Sequence, residues 1–253
     1  MLHHPTIDKL QHLRFNGMLK ALQEQQGLPQ WEALSFEERL GLLADRELTE
    51  REDKRLQSRL RKAKLKHNDA CVENIDYQTP RGLDKGLVQQ LAQGTWIKEG
   101  LNLITVGPTG IGKTWLACAL AHKACQLGYS AQYLRLPKLF ESLQLAHGDG
   151  RYQRLMTSIA KTDVIILDDW GLTPLTASQR RDLLEVVDDR HGHKSTIVTS
   201  QLPIDQWHDV IDDATIADAI LDRLIHNAYK LPLKGESMRK RHSRLTKPRV
   251  TKA

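Results

Sequence analysis

The stretch Gly107-Pro108-Thr109-Gly110-Ile111-Gly112-Lys113-Thr114 matches the pattern G-x-x-x-x-G-K-[ST] at every fixed position. An apolar segment at 101–106 precedes it, and a run rich in helix-forming residues follows at 115–124. This order predicts a strand, a phosphate-binding loop (P-loop) and a helix. Glycines let the backbone wrap closely around a polyphosphate, and the N–H groups at the start of the helix face the anion.

The polar residues of the P-loop have distinct expected roles. Lys113 is placed to reach the β- and γ-phosphates and to assist catalysis, and the Thr114 hydroxyl is placed to hold Mg²⁺. We therefore expect residues 107–114, together with Trp115, to bind a nucleotide. The alternative is a glycine-rich turn that binds nothing, which is disfavoured because every fixed position is matched between a strand and a helix.

A second candidate element is the apolar run Val164-Ile165-Ile166-Leu167 followed by Asp168 and Asp169. Such a run predicts a strand buried on both faces of a parallel sheet, with the two carboxylates at the end where ligands bind. We expect Asp168 to hold Mg²⁺ through water and Asp169 to orient or deprotonate the attacking water. The alternative, a strand that ends in solvated acids, is weakened by the complete P-loop upstream.

The remaining strands indicate the fold class. Segments 130–136, 195–201 and 228–233 read as strands, and they alternate with helical patterns, which predicts an α/β fold with a five-stranded parallel sheet. A strand–helix unit at 130–160 separates the P-loop strand from the Asp168 strand, as in ATPases of the additional-strand class. A guanine-reading N/T-K-x-D motif is absent, so ATP is the expected nucleotide. Gln201 could touch the γ-phosphate or the water, or could simply cap its strand.

The charge distribution suggests a polyanionic partner. The formal net charge is +6, and basic residues cluster at 51–66 and again after Glu236. We expect a helical region at 1–68, an ATPase domain at 69–238 and a basic tail at 239–253, with nucleic acid as the partner. A solvated helix and tail is the alternative. The candidate DNA contacts are Arg55, Arg59, Arg61, Lys62, Lys64, Lys66, Arg239, Lys240 and Arg241.

The N-terminal region has helical spacing. We predict one helix over 6–26, a capping box at Ser35 and Glu38, and one or two further helices extending to about residue 67. A loop is predicted at 147–150. Tyr77, ahead of the P-loop strand, could contact adenine or could be an ordinary surface or core tyrosine.

Other sequence features indicate where in the cell the protein is found. No apolar run reaches the roughly eighteen residues of a membrane span, and the N-terminus does not resemble a secretory signal. The three cysteines form no C-x-x-C pair, so neither a disulfide framework nor a zinc site is indicated. We expect a cytoplasmic protein.

Motifs along the chain resemble the IstB family, the AAA+ ATPases encoded beside the transposase in bacterial insertion sequences and related to the DnaC helicase loader and DnaA. They are Gly-Leu-Asp-Lys at 82–85, the P-loop, Ile-Leu-Asp-Asp-Trp-Gly at 166–171, Ile-Val-Thr-Ser-Gln-Leu-Pro at 197–203, Leu-Asp-Arg-Leu at 221–224 and Gly-Glu-Ser-Met-Arg at 235–239.

The resemblance implies roles for individual residues. Asp168 and Asp169 match the Walker B acids, Gln201 matches the sensor-one position, and Arg223 matches an arginine finger that acts on ATP bound by a neighbouring subunit. Arg239 would be a sensor-two-like contact or a ligand of the DNA backbone. The helical lid domain of many AAA+ proteins is expected to be missing.

The resemblance also implies partners. They are ATP with Mg²⁺, a homo-oligomer with ATP between subunits, double-stranded DNA bound with little sequence preference, and the cognate transposase. Hydrolysis would be stimulated by DNA. One alternative is a DnaC-like loader of a replicative helicase, and another is a basic DNA-binding protein in which ATP has only a structural role.

Overall fold

The computed structural model describes residues 5–26, 31 and 33–238. The chain divides into two compact units, Met1–Ser58 and Arg59–Ala253. Within the described residues, none of the helices is both long enough and apolar enough to cross a membrane. The expectation about a missing lid, and the predicted contacts at Arg239, Lys240 and Arg241, concern residues outside the described ranges.

The first unit is helical, but its helices differ from the prediction. Helix α1 spans Pro5–His12, α2 spans Asn16–Gln25, and α3 spans Phe36–Ala63 and so begins in this unit. The single helix predicted over 6–26 is wrong, because Arg14 adopts a φ of 58° and this left-handed conformation interrupts the helical hydrogen bonding.

Helix α3 is one continuous helix with a defined start and end. The capping box is confirmed, since the Glu38 N–H donates to Ser35 Oγ over 3.2 Å and the Ser35 N–H donates to Glu38 Oε2 over 2.8 Å. The helix ends at Ala63, earlier than the predicted residue 67, because Lys64 has a φ of 48°.

Glu47 on α3 caps the first turn of α2. Its carboxylate accepts the N–H groups of Gly17 over 2.7 Å and Met18 over 3.2 Å, and it also accepts a hydrogen bond from Arg51. Burial raises the pKa of Glu47, but Arg51 and the two N–H groups outweigh this effect and leave the pKa below its usual value. This carboxylate supplies the cap that Phe15 cannot, since Phe15 makes no side-chain cap.

The second unit is built on a parallel sheet of five strands, in the order β2-β3-β4-β1-β5. Strand β4 lies between the P-loop strand β1 and the Asp168 strand β3, which confirms the additional-strand arrangement. Six of the seven residues of β3 are buried, as expected for a central strand with helices on both faces. The strands are β1 Asn102–Val106, β2 Ala131–Arg135, β3 Val164–Trp170, β4 Ser195–Ser200 and β5 Ala228–Pro232.

Eight helices of the described chain lie wholly within the second unit. The loop predicted at 147–150 is wrong for its first three residues, because α7 continues to Asp149 and only Gly150, with a φ of 74°, leaves the helix. His147 in that last turn stacks on Tyr152 and lies 3.0 Å from Asp182. The helices are α4 Lys85–Ala92, α5 Thr95–Lys98, α6 Lys113–Gln126, α7 Leu136–Asp149, α8 Tyr152–Lys161, α9 Ala177–Asp188, α10 Trp207–Ile211 and α11 Ala214–Ile225.

Arg190 stabilises the amino-terminal edge of the sheet. Its side chain is fully buried, and its guanidinium is satisfied by acceptors before β3 and at the start of β4. A buried arginine is tolerated only with such partners. They are the carbonyl oxygens of Ile159, Thr162, Asp163 and Ser195 and the hydroxyl of Thr196.

We predict opposite effects for two glycine substitutions in the N-terminal unit. A Cβ on Gly17 would lie 2.6 Å from both Arg46 O and Glu47 Cα, so Gly17→Ala should lower the free energy of unfolding by about 1–3 kcal/mol. A Cβ on Gly41 meets nothing within 4 Å, so Gly41→Ala should raise it by about 0.5–1 kcal/mol through helix propensity.

Urea denaturation followed by circular dichroism measures both changes in the full chain. Equal effects of the two substitutions would contradict the close approach of α2 and α3 at Gly17.

Candidate nucleotide-binding site

The P-loop forms a tight cradle that only glycines allow. Gly107, Gly110 and Gly112 have φ values of 154°, 80° and 102°. A Cβ on Gly107 would lie 2.3 Å from Leu233 O, and one on Gly112 would lie 2.7 Å from a guanidinium nitrogen of Arg81. Helix α6 begins directly after the cradle, so its N-terminal N–H groups can meet an anion there.

Lys113 lies against the same loop. Its side chain is largely buried, and Nζ donates to Gly107 O over 2.6 Å and to Pro108 O over 2.9 Å. A cavity of about 500 Å³ opens beside it, large enough for a nucleotide. Its lining residues are Gly110, Gly112, Lys113, Thr114 and Trp115 from the loop and helix, and His67, Asp69, Asn74, Asp76, Arg81 and Met238 around them.

Asp168 is fully buried and accepts four hydrogen bonds. Oδ1 receives Thr114 Oγ1 over 2.7 Å and Thr199 Oγ1 over 2.5 Å, while Oδ2 receives Tyr133 OH over 2.5 Å and Lys66 Nζ over 3.4 Å. Burial raises the pKa of Asp168, but the three hydroxyls and the Lys66 charge outweigh it and hold the pKa below its usual value. The group is therefore an anion at neutral pH.

Thr114 and Asp168 form an oxygen pair of the kind that Mg²⁺ prefers. The Thr114 hydroxyl donates directly to the Asp168 carboxylate at the edge of the cradle. The donor set thus fits a magnesium ion that accompanies a nucleotide.

Asp169 and Gln201 lie at the ends of neighbouring strands. Asp169 has a φ of 65° at an irregularity in the pairing of β3 with β4, and Arg135 Nε donates to its Oδ2 over 2.6 Å. Gln201 Oε1 accepts the Thr109 hydroxyl over 2.6 Å and so joins the end of β4 to the P-loop. Both residues lie at the carboxyl edge of the sheet, where ligands bind in open α/β folds.

Arg223 on α11 is not among the residues that line the P-loop cavity, and it lines a separate, more open cavity along α11. Its Nε donates to Asp188 Oδ1 over 2.6 Å, and one of its terminal nitrogens donates to Ala219 O over 2.9 Å. The arrangement leaves this arginine on the surface formed by α9 and α11, where about a third of its side chain is exposed.

Tyr77 lies near the cavity without lining it. Its neighbours Asp76 and Arg81 are lining residues, and Arg81 donates to Ile111 O over 3.2 Å and to Asp76 O over 2.9 Å. The Tyr77 ring has Lys85 Nζ at 5.7 Å from its centre. Trp115 does line the cavity.

The basic candidates have different environments. Arg59 donates to Cys125 O over 2.8 Å, and Lys66 reaches Asp168, so these two side chains contact the core. The other four side chains are exposed, and they form no hydrogen bond or ion pair with the rest of the described chain: Arg55, Arg61, Lys62 and Lys64.

The sequence analysis missed several residues that hold the site together: Tyr133, Arg135, Thr199 and Arg81. For Thr199 and Arg135 the sequence did offer a clue, their position near the carboxyl ends of predicted parallel strands, because polar residues there gather at a ligand site. For Tyr133 and Arg81 the sequence offered no such clue, because only the folded chain brings them to Asp168 and to the P-loop.

We predict that two cross-strand threonines respond differently to the same substitution. Thr105 and Thr199 are buried register partners on β1 and β4, and Thr199 donates to the ionised Asp168. Thr199→Val should lower the free energy of unfolding by about 1.5–3 kcal/mol, the range for a hydrogen bond to a charged group.

Thr105→Val is the matched control. The Thr105 hydroxyl has no hydrogen-bond partner among the described residues, so its removal should be neutral or stabilising. Chemical denaturation compares the two, and a loss of stability in Thr105→Val equal to that in Thr199→Val would contradict the assignment.

Comparisons with known proteins identify the family of the chain. The family model described as IstB-like ATP binding protein matches residues 8–246. A Sinorhizobium fredii protein named as an insertion-sequence ATP-binding protein is 51% identical over 244 residues, covering 96% of this chain and 99% of the relative. A similarly named Pseudomonas fluorescens protein is 55% identical over 203 residues, covering 80% of this chain and 88% of the relative.

Solved structures resemble the fold at low identity. DnaI has a TM-score of 0.56 at 22% identity and covers 70% of this chain and 93% of its own. DnaA bound to AMPPCP and single-stranded DNA has a TM-score of 0.54 at 15% identity, with coverages of 66% and 50%. The chain therefore belongs to the IstB-like family of insertion-sequence ATP-binding proteins, and its second unit has the AAA+ fold.

Proposed function

We propose that the chain is an ATPase that binds ATP with Mg²⁺ in the cradle between the P-loop and Asp168. The observation that carries the proposal is the direct contact of Thr114 with Asp168 beside three glycines in left-handed conformations. A polyphosphate needs N–H donors and a cation, and Mg²⁺ needs oxygen ligands. One chain supplies the N–H donors of the P-loop and the oxygen ligands for Mg²⁺.

The residues of the site would have separate roles in binding and hydrolysis. The P-loop N–H groups and Lys113 would bind the phosphates, while Thr114 and Asp168 would hold the magnesium ion. Bound Mg²⁺ neutralises charge on the β- and γ-phosphates. Asp169 would accept a proton from the attacking water, a role for which it must leave the ion pair with Arg135. Gln201, held near the loop by Thr109, would orient that water.

Arg223 would complete the site of a neighbouring subunit. It does not line the P-loop cavity of its own chain, and its guanidinium lies on α11 beside Asp188. An arginine supplied in trans stabilises the charge that develops on the γ-phosphate and is worth about 10³-fold or more in rate. ATP would therefore lie between subunits and promote a homo-oligomer.

Double-stranded DNA and a transposase are the proposed partners. The relatives are named for insertion sequences, and the exposed Arg55, Arg61, Lys62 and Lys64 suit phosphate contacts with little sequence preference. DNA held this way would stimulate hydrolysis, and the oligomer would present the target to the transposase. The proposed location of this activity is the cytoplasm.

A DnaC-like helicase loader is the alternative function. The likeness to DnaI and to the DnaC helicase loader, both at 22% identity, concerns the fold alone. Pull-down with the neighbouring transposase or with a replicative helicase separates the two functions. Binding to the helicase alone would favour the loader.

We predict that two inactive variants restore activity to each other. Lys113→Ala should lose ATP binding, and Arg223→Ala should bind ATP normally but lose DNA-stimulated turnover by about 10³-fold or more. In a mixed oligomer, an intact P-loop can meet an intact Arg223, so phosphate release should recover to a fraction of the wild-type rate.

Arg181→Ala, which removes an exposed arginine of α9, is the control for Arg223→Ala and should turn over normally. If no mixing ratio restores turnover while the two variants form mixed oligomers, Arg223 does not act across subunits.

A further inference from the structure

Lys66 lies in a short segment that is fixed to the ATPase core. The segment follows the end of α3, and its neighbours Ala63 and Leu65 are buried. These buried residues fix the backbone next to residue 66, while the Lys66 side chain is 39% exposed.

The Lys66 ammonium supplies a positive charge to a fully buried carboxylate. Among the four hydrogen-bond donors to Asp168, three are the neutral hydroxyls of Thr114, Thr199 and Tyr133. The fourth is Lys66, with Nζ 3.4 Å from Oδ2. A buried anion requires such compensation, and this ion pair provides it from a side chain that reaches in from the surface.

A magnesium ion at Thr114 and Asp168 would approach the same carboxylate. Two cations at one buried carboxylate repel each other, and the divalent ion binds oxygen more strongly than an ammonium does. Lysine has a flexible stem, and the exposed part of this side chain gives it a path into solvent.

We propose that Lys66 is a positioning residue that competes with the divalent cation: it holds Asp168 in place before Mg²⁺ binds and is displaced when Mg²⁺ enters with the nucleotide. The inference rests on the proposed nucleotide site. Its consequence is that metal occupancy is coupled to the segment next to the basic end of α3, and that the released ammonium becomes available to a phosphate of DNA.

The test uses the full chain and a fluorescent, non-hydrolysable ATP analogue titrated with Mg²⁺. Removing the competing charge in Lys66→Met should lower the Mg²⁺ concentration for half-maximal analogue binding by at least about fivefold, the Coulomb effect of one unit charge at about 4 Å in bulk water, which burial of the carboxylate increases. Lys66→Arg retains the charge and should match the wild type within about twofold.

Lys161→Met is the control, because Lys161 at the end of α8 is exposed and forms no ion pair with the described chain. It should leave the Mg²⁺ midpoint unchanged. Thermal unfolding in EDTA gives a second readout: Lys66→Met should be less stable than the wild type, and saturating Mg²⁺ with the analogue should remove most of the difference.

The possible outcomes separate the inference from the proposed function. A Lys66→Met midpoint equal to or higher than that of the wild type, in a protein with normal circular dichroism, overturns the competition. A wild-type chain that binds the analogue without any dependence on Mg²⁺ overturns the metal role of Asp168 itself, and with it the proposed function.

Discussion

The buried carboxylate of Asp168 is the interaction on which the site depends. It joins the P-loop helix through Thr114, β2 through Tyr133, β4 through Thr199 and the segment after α3 through Lys66. Leaving an anion this deep without partners would cost several kcal/mol, so each donor is also a structural restraint on the others. The strand order β2-β3-β4-β1 makes the convergence possible, because it places β3 between two of the donor strands.

The elements that sequence patterns predict are those fixed by local chemistry. The P-loop needs glycines at positions of positive φ, and the central strands need unbroken apolar runs, so both are readable from neighbouring residues. Family membership then supports the AAA+ fold and the nucleotide. The roles of the individual site residues stay predictions, and those of Arg223 and the basic residues concern partners that a single chain does not contain.

The details that the sequence could not supply arise from tertiary contacts. The break at Arg14 lies in a pattern whose helical spacing continues on both sides, and the last turn of α7 is favoured by the contacts of His147 with Asp182 and Tyr152. In the sequence Lys66 is one of many residues in a basic run, yet its ammonium reaches Asp168, about a hundred residues away in the chain, and only the fold brings the two together.

The most direct test of this account is electron paramagnetic resonance of Mn²⁺, used in place of Mg²⁺, with a non-hydrolysable ATP analogue. Wild-type chain should bind Mn²⁺ stoichiometrically in the presence of the analogue, and Asp168→Asn should lose that bound signal while its circular dichroism stays normal. Equal Mn²⁺ binding by the wild type and by Asp168→Asn would contradict the central role assigned to this carboxylate.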